Sequence, residues 1–470
     1  MNHKLLLLIC FLPLFILGCP DNAQEPDDTP LTADFSASKL SLVEGQQVTF
    51  QDATSGAPEA WSWTFEGGTP ATSTERNPVV TYNEAGTYAV SLTLTKGGTT
   101  ETETKENLVT VVELFSGSTV PAAGPCQVNN VFTNDFVGIG FPNTGPAKSL
   151  GTLNVQVLFA DFPDAPSSRT TEAVYDIIEP VNDQYFQEMS YGRLEVNLIP
   201  HHEWLRLSNN ALHYTGGLMS AQGHLAFIQE AVDLADPQVD FSNVDIVVVM
   251  ANPDAEDIPY GPAFGSLNEN FAIQADGNSI MTGVTSGYDL NHWGGIWLSH
   301  ELGHSLGLPD LYSFGADAHQ YVGSFSLMGL ISGAAPAFFA YERWLLGWLD
   351  DSQIYCHSAG SVAIELEQIA TEGGLKAVTV PLSATQVVVI ESRRRTGVDA
   401  SMPQEGVLVY VVDSSVGRGE GPLQIKPGSN SGSMKANAPM TTGETYTYNG
   451  VTVEVIESKS SSDVVQVSVQ

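Results

Sequence analysis

Basic side chains are scarce in this chain of 470 residues. Only 18 Lys and Arg residues stand against 54 Asp and Glu, which gives a formal net charge of −36 at pH 7. A field of this sign repels phosphate backbones and argues against any function in binding nucleic acid. Strong acidity is typical of proteins that stay soluble in extracellular or saline surroundings, and calcium binding is a weaker expectation from it.

Apolar runs long enough to cross a membrane as a helix are also lacking. The longest run, "LLLLICFLPLFIL", follows Lys4 and is shorter than a spanning helix requires, which is typical of an export signal. It ends in "ILGC", which resembles the lipobox of bacterial lipoproteins. This resemblance implies a signal peptide over 1–18, lipid on Cys19 and a tether over 19–31. A plain secretory signal is the alternative.

Cysteine is equally rare, with four residues in the whole chain. Cys10 lies in the export signal and Cys19 in the lipobox, so Cys126 and Cys356 remain. Two thiols in an exported chain favour one long-range disulfide between them. A free Cys126 that acts as an inhibitory zinc ligand is the alternative, and it would leave Cys356 unpaired.

Residues 32–113 have the alternation of a half-buried β-sheet. In "YAVSLTLT", the side chains of Tyr88, Val90, Leu92 and Leu94 fall on one face. Glycine-rich turns separate this run from "VTFQDAT" and "WSWTF". The pattern predicts a small β-sandwich.

Four segments of this sandwich, "ADFSAS", "WSWTFEGG", "NPVVTY" and "EAGTYAVSLTLT", resemble the polycystic-kidney-disease (PKD) type of immunoglobulin-like domain. The resemblance implies a spacer or a module that binds polysaccharide or matrix protein. Trp61 and Trp63 are candidates for a binding platform, although we expect core packing for at least one of them.

Beyond residue 113 the composition changes twice. Residues 114–150 are rich in Pro, Gly and Asn, which is typical of a connector. Over 151–350, apolar runs such as "LNVQVLFADF" and "NVDIVVVMA" alternate with stretches of helical spacing such as "AFIQEAVDLA", which predicts an α/β layer. Residues 351–470 return to β patterns, including "VVVIESRRR" and "GVLVYVVD", and predict a β-rich region.

The stretch "WLSHELGHSLGLPDLY" concentrates groups that bind metals. On a helix, His300 and His304 lie one turn apart on the same face, so both imidazoles can reach one zinc ion at about 2.0–2.1 Å. Glu301 sits beside them and can take a proton from the attacking water. Gly307 permits a sharp backbone turn, which can return Asp310 to the metal. Three protein ligands with an open fourth position indicate a catalytic zinc site.

Other side chains compete for the role of third ligand. Glu342 is a rival to Asp310, because other HExxH peptidases use a downstream glutamate. The spacing and Gly307 favour Asp310. Four of the histidines outside the motif are expected at the surface or in the core rather than as ligands, namely His201, His202, His292 and His319.

"HELGHSLGLPDLY" resembles the metzincin motif HExxHxxGxx(H/D), in the Asp-ending form of the immune-inhibitor-A family of bacterial zinc peptidases. "VLFADFPD", "YFQEMSYGRLEV", "FSLMG" and "ERWLLGWLD" resemble further segments of that family, so the likeness covers the chain beyond the connector. It implies an α/β metzincin-like catalytic domain flanked by the N-terminal β-sandwich and the C-terminal β-rich region. It assigns His300, His304 and Asp310 as zinc ligands, Glu301 as general base and Met328 as the Met-turn methionine beneath the metal.

These resemblances predict a lipid-anchored zinc endopeptidase that hydrolyses proteins with metal-activated water, exported and exposed at the bacterial cell surface. Tyr312 is a candidate oxyanion donor, with a structural hydroxyl as the alternative. Two other classes remain open: a surface adhesin that binds polymers through the PKD-like domain, and a zinc amide hydrolase that acts on cell-wall peptides. Family members often carry a long pro-segment, whose place is taken here by the PKD-like domain and the connector.

Overall fold

The computed structural model describes residues 29–117, 119–426 and 434–470. The predicted signal peptide, Cys19 and most of the predicted tether therefore lie outside the described residues. Two compact units are distinguished among the described residues, the first with 29–40, 45–83 and 87–110, and the second with 41–44, 84–86 and the described residues from 111 onwards. Strands predominate, and 17% of the described residues are helical. Within the described ranges, no helix has the length and apolarity needed to span a membrane.

The N-terminal segment forms two sheets, with strand orders β1-β3-β7-β5 and β2-β9-β8-β4-β6. The strands are β1 Phe35–Ala37, β2 Ser41–Val43, β3 Gln46–Asp52, β4 Ala60–Phe65, β5 Gly68–Thr69, β6 Thr72–Ser73, β7 Val79–Tyr82, β8 Gly86–Lys96 and β9 Thr99–Val112. Val90, Leu92 and Leu94 are fully buried, as the alternation predicts. Trp63 is also fully buried, which confirms core packing for one tryptophan, whereas Trp61 is only half-buried.

Strands and helices alternate in the next part of the chain, around a five-stranded sheet of order β11-β10-β12-β16-β13. Neighbouring strands are parallel except β13, which runs antiparallel to β16 at the edge. The strands are β10 Gly151–Asp161, β11 Leu194–Arg206, β12 Ile246–Ala251, β13 Ala263–Gly265, β14 Ile273–Ala275, β15 Asn278–Ile280 and β16 Thr282–Thr285. The helices are α1 Thr171–Ser190, α2 Ala211–Leu218, α3 Ala221–Ala235, α4 Leu290–Trp293, α5 Ile296–Ser305 and α6 Ala340–Leu345.

The C-terminal region has two further sheets, with orders β17-β19-β20-β21-β22 and β18-β25-β24-β23. The strands are β17 Ile354–Cys356, β18 Gly360–Glu367, β19 Ala377–Pro381, β20 Gln386–Arg393, β21 Gly406–Asp413, β22 Leu423–Lys426, β23 Thr445–Tyr448, β24 Val451–Ser458 and β25 Ser462–Val469. Val388 and Ile390 pack into a core shared by the two sheets. Val387 and Val389 face the other way, into the core that also holds α5. Successive side chains of β20 point to opposite faces of the sheet, and both faces of this strand are buried.

Buried polar side chains of β20 hold the start of α6. Glu391 accepts hydrogen bonds from the Ala340 N–H at 2.7 Å and from the Tyr410 hydroxyl at 2.8 Å. The Arg393 guanidinium donates to the Ala337 carbonyl at 2.9 Å. All of these partners are buried, so each satisfies a group that would otherwise be desolvated at a cost of about 1–3 kcal/mol. The C-terminal region therefore completes the unit that contains α5 and α6.

Cys126 and Cys356 form a disulfide, with a Cα–Cα distance of 5.8 Å and a sequence separation of 230. The bond joins the connector to β17 and leaves neither thiol as a metal ligand. A cross-link that closes so long a loop stabilises a fold by about 2–5 kcal/mol, chiefly by restricting the unfolded chain.

Candidate metal centre

Helix α5 carries His300, Glu301 and His304, and its residues from 297 onwards are all buried. Trp297, Leu298 and Leu302 belong to the main hydrophobic core. A helix buried on every side needs partners for its polar groups. One such partner comes from α1, where the side-chain Oδ1 atom of Asn182 accepts a hydrogen bond from the Ser299 hydroxyl at 2.8 Å.

The two histidines of α5 and the carboxylate of Asp310 meet at one point. The Asp310 Oδ1 atom lies 3.5 Å from the His300 Nε2 atom and 3.3 Å from the His304 Nε2 atom. One ligand atom from each residue lies within 4.8 Å of the other two. Ligand atoms about 2.0–2.1 Å from a tetrahedral zinc are roughly 3.4 Å apart, so these spacings fit a zinc ion.

The orientation of both imidazoles is set by backbone carbonyls. The Nδ1 atom of His300 is 2.9 Å from the Leu327 carbonyl oxygen, and the Nδ1 atom of His304 is 2.8 Å from the Leu308 carbonyl oxygen. A carbonyl accepts only, so each Nδ1 donates its proton, and in the neutral imidazole the Nε2 lone pair then faces Asp310. This is the arrangement that metal-binding histidines require. The buried Asp310 Oδ1 has no hydrogen-bond partner among the described residues, and a cation would satisfy it.

The backbone turn that returns Asp310 to α5 depends on Gly307. Its φ of +99° lies in the region that glycine favours, and a Cβ atom there would lie 2.2 Å from the Asn143 Oδ1 atom. Asn143 donates its side-chain amide to the Leu306 carbonyl at 2.7 Å, and the Gly138 N–H donates to the Gly307 carbonyl at 2.9 Å. The connector, for which the sequence predicted no role at the site, thus braces the turn.

Gly307→Ala is expected to lower zinc affinity by about 10-fold or more, because the added methyl group forces both the turn and Asn143 to move. Zinc affinity can be measured by competition with a chelator. Gly277→Ala is the matched control, since Gly277 also has a positive φ of 76° but would have no neighbour within 4 Å of an added methyl group. Unchanged zinc affinity in Gly307→Ala would contradict the role assigned to this turn.

Met328 lies directly beneath α5, on the tight turn of "FSLMG". It is fully buried, and a Cβ atom on Gly303 would lie 2.6 Å from its sulfur. Glycine at 303 therefore lets the methionine approach the helix between the two histidines. The turn is closed by Ser326, which has a φ of +61° and whose hydroxyl accepts from the Met328 N–H at 3.2 Å.

Glu342, the rival third ligand, is occupied elsewhere. Its carboxylate accepts from the Ser326 hydroxyl at 2.9 Å and from the Phe339 N–H at 2.8 Å, so it caps α6 and holds the turn of Met328. Among the described residues, the group that can share a metal consists of His300, His304 and Asp310. Glu342, the alternative to the favoured Asp310, therefore lies outside this group, and its oxygens accept hydrogen bonds in the cap.

Burial and charge shift the acidities at the site. Burial raises the pKa of Glu301 to about 8, against a smaller opposing effect of His300. Burial also opposes charge on Asp310 and His304, but their mutual attraction prevails, so the pKa of Asp310 falls well below its usual range and that of His304 rises. Burial, reinforced by Asp310, raises the pKa of Tyr312 above its usual value. The Tyr312 hydroxyl therefore stays protonated and can donate a hydrogen bond.

The cluster opens into a cavity of about 660 Å³. Glu301 and Tyr312 face it together with the three candidate ligands, and His319 lines it without joining the cluster. Further side chains that line the cavity were not predicted from the sequence and come from distant segments: Phe136, Met219, Tyr260, Trp293, Leu330 and Arg418. The other three histidines lie on β11 or α4 and are not in the cluster: His201, His202 and His292. Calcium binding stays a prediction.

Comparisons with known proteins concern the N-terminal segment. Residues 32–109 match the PKD domain family, which confirms the PKD-type interpretation. Similar solved structures include the PKD1 domain from the Vibrio cholerae metalloprotease PrtV, at 31% identity over 17% of this chain and 96% of that chain, with a TM-score of 0.15. Another is the PKD1 domain of Vibrio anguillarum Epp, at 31% identity over 17% and 92%, with a TM-score of 0.14. No curated protein matches the chain.

Proposed function

We propose that this protein is a zinc-dependent endopeptidase. The observation that carries the proposal is the convergence of His300, His304 and Asp310 on one point, with the Glu301 carboxylate beside them in an open cavity. The motif "HELGHSLGLPD" and its resemblance to the metzincins of the immune-inhibitor-A family support the same assignment. Three protein ligands leave a position for substrate or water, which is typical of a catalytic rather than a structural zinc site.

Zinc held by these three residues would supply a Lewis acid that polarises the scissile carbonyl and acidifies water. Glu301 takes the proton of the attacking water on its carboxylate and then delivers that proton to the leaving amine. A proton acceptor with a raised pKa is suited to both steps, because it holds the proton until the amine departs. The protonated Tyr312 hydroxyl, whose residue lines the same cavity, would donate to the developing oxyanion.

The wall of the cavity includes a strand edge that suits an extended peptide. Gly261, Pro262 and Ala263 line it, and Ala263 begins the edge strand β13. Only one side of β13 is paired, with β16, among the strands that the structure describes. An extended substrate can add to such an edge through main-chain hydrogen bonds.

The direct test is incubation of the pure protein with unfolded casein. We expect cleavage that a chelator stops and that added zinc restores, because zinc held by the three converging residues would supply the Lewis acid. Absence of cleavage by zinc-loaded protein would contradict the proposal. Cleavage of cell-wall peptides with no cleavage of casein would assign the site to the amide hydrolase class.

We also propose a lipid anchor at Cys19, from the lipobox-like "ILGC". The protein is expected to partition with membranes and to incorporate labelled palmitate, and Cys19→Ser should abolish the label because the acceptor thiol is gone. Cys10→Ser is the matched control and should retain the label. A Cys19→Ser protein that labels and partitions as before would rule out the anchor.

A further inference from the structure

The cavity wall beside the candidate metal cluster contains one cationic side chain that the function proposed above does not use. Of the described residues that line the cavity, Arg418 alone is Lys or Arg, whereas Asp289, Glu301 and Asp310 contribute carboxylates. In a chain with three acidic residues for each basic one, a guanidinium at this place needs an explanation.

Backbone contacts hold the loop of Arg418 next to the segment of Asp310. The loop joins β21 to β22, and the N–H of its Gly419 lies 3.4 Å from the Asp310 carbonyl oxygen. The Gly419 carbonyl in turn accepts from the Phe314 N–H at 3.1 Å. Gly419 has a φ of +73°, and a Cβ atom there would lie 2.2 Å from the Phe314 ring. Backbone contacts on both sides therefore fix the residue that follows Arg418.

The guanidinium itself is available to a ligand. Arg418 is exposed, and it forms no ion pair with any carboxylate that the structure describes. By contrast, Arg206, Arg393 and Arg394 each lie within 4 Å of an aspartate oxygen. An unpaired guanidinium keeps its planar set of N–H donors, which matches a carboxylate better than any other common peptide group.

We propose that Arg418 binds a carboxylate of the peptide substrate, a specificity role that rests on the endopeptidase function proposed above. The carboxylate comes either from an Asp or Glu side chain or from the C terminus of the substrate. The negative field of the chain disfavours acidic peptides in general, so the preference is local to the position that reaches Arg418.

The test uses internally quenched peptides with blocked ends, in matched pairs that differ by Glu or Gln at one position. A second pair has the same neutral sequence with a free or an amidated C terminus. The zinc-loaded wild-type protein is compared with Arg418→Gln. Arg76→Gln is the matched control, because it removes the same charge from an exposed arginine in the N-terminal sandwich. The ratio of kcat/KM within each pair is the readout.

We expect one pair to favour the carboxylate by about 10–100-fold in the wild-type protein and in Arg76→Gln, as charge-assisted hydrogen bonds do. In Arg418→Gln that ratio should fall to near one. Faster cleavage of the Glu peptide than of the Gln peptide would show that Arg418 binds a side-chain carboxylate. Faster cleavage of the peptide with a free C terminus would show that it binds the terminal carboxylate. No preference in the wild-type protein, or an equal preference in Arg418→Gln, overturns the proposal.

A binding measurement separates this proposal from the peptidase function. The zinc-loaded Glu301→Gln protein is titrated with each peptide of each matched pair, with and without the Arg418→Gln change. We expect the carboxylate peptide of at least one pair to bind about 10-fold or more tightly than its neutral counterpart only when Arg418 is present. If no peptide is cleaved but this difference appears, the peptidase function fails and the carboxylate site stands. If peptides are cleaved but no pair shows a difference, the carboxylate site fails alone.

Discussion

Glu301→Gln is expected to lower the rate of proteolysis by about 10²–10⁴-fold while zinc content stays near that of the wild-type protein. Glutamine keeps the shape of the side chain, and the candidate ligands His300, His304 and Asp310 remain in place. The amide cannot accept the proton of the attacking water, so the step that depends on Glu301 is lost. Casein cleavage and bound zinc per chain are the two measurements.

The matched control for this loss is Glu256→Gln, which makes the same change at an exposed residue outside the cavity. It should cleave casein as the wild-type protein does. Near-normal turnover in Glu301→Gln would remove this residue from the role of general base. Loss of zinc in Glu301→Gln would instead make Glu301 a ligand.

Asp310→Ala should weaken zinc binding by about 100-fold or more, since even changes around a metal ligand cost roughly 10–100-fold in affinity. The substitution removes the oxygen that lies 3.3 Å and 3.5 Å from the two imidazole nitrogens. It leaves the backbone carbonyl that contacts Gly419 unchanged. Competition with a chelator gives the zinc affinity, and circular dichroism checks the fold.

The zinc affinity of Glu342→Gln is to be compared with that of Asp310→Ala. Glutamine retains an oxygen for the cap of α6, so the fold and the zinc affinity should both stay close to those of the wild-type protein. The opposite result, with zinc lost in Glu342→Gln and kept in Asp310→Ala, would place the third ligand on α6 and contradict the metzincin assignment.

Local patterns were sufficient for the elements that depend on neighbours in sequence. Alternation at Val90, Leu92 and Leu94 predicted the buried face of the sandwich, since the period of a strand does not depend on its partners. The spacing of His300 and His304 predicted their common side of a helix for the same reason. A motif of this kind can be recognised in the sequence because its residues lie within about one turn of a helix.

The spacing and Gly307 favoured Asp310 over Glu342 as the third ligand, but a local pattern did not exclude Glu342. Both are downstream carboxylates, and the choice depends on which one meets the imidazoles after the chain turns. In the structure the Glu342 oxygens are consumed by Ser326 and Phe339, and the Asp310 oxygen is left facing the histidines. The path of the chain after α5 and the cap of α6 made that difference, and neither can be read from residue spacing alone.

By itself, then, the sequence determined the PKD-type sandwich, the export-like start and the paired histidines with their glutamate, because each is a local pattern. Only the tertiary structure showed the brace that Asn143 gives to Gly307 and the place of Arg418 in the cavity wall. These depend on segments that are distant in the chain and meet only when a common core is buried. Periodicity and residue spacing carry no information about such tertiary contacts, since they describe each segment separately.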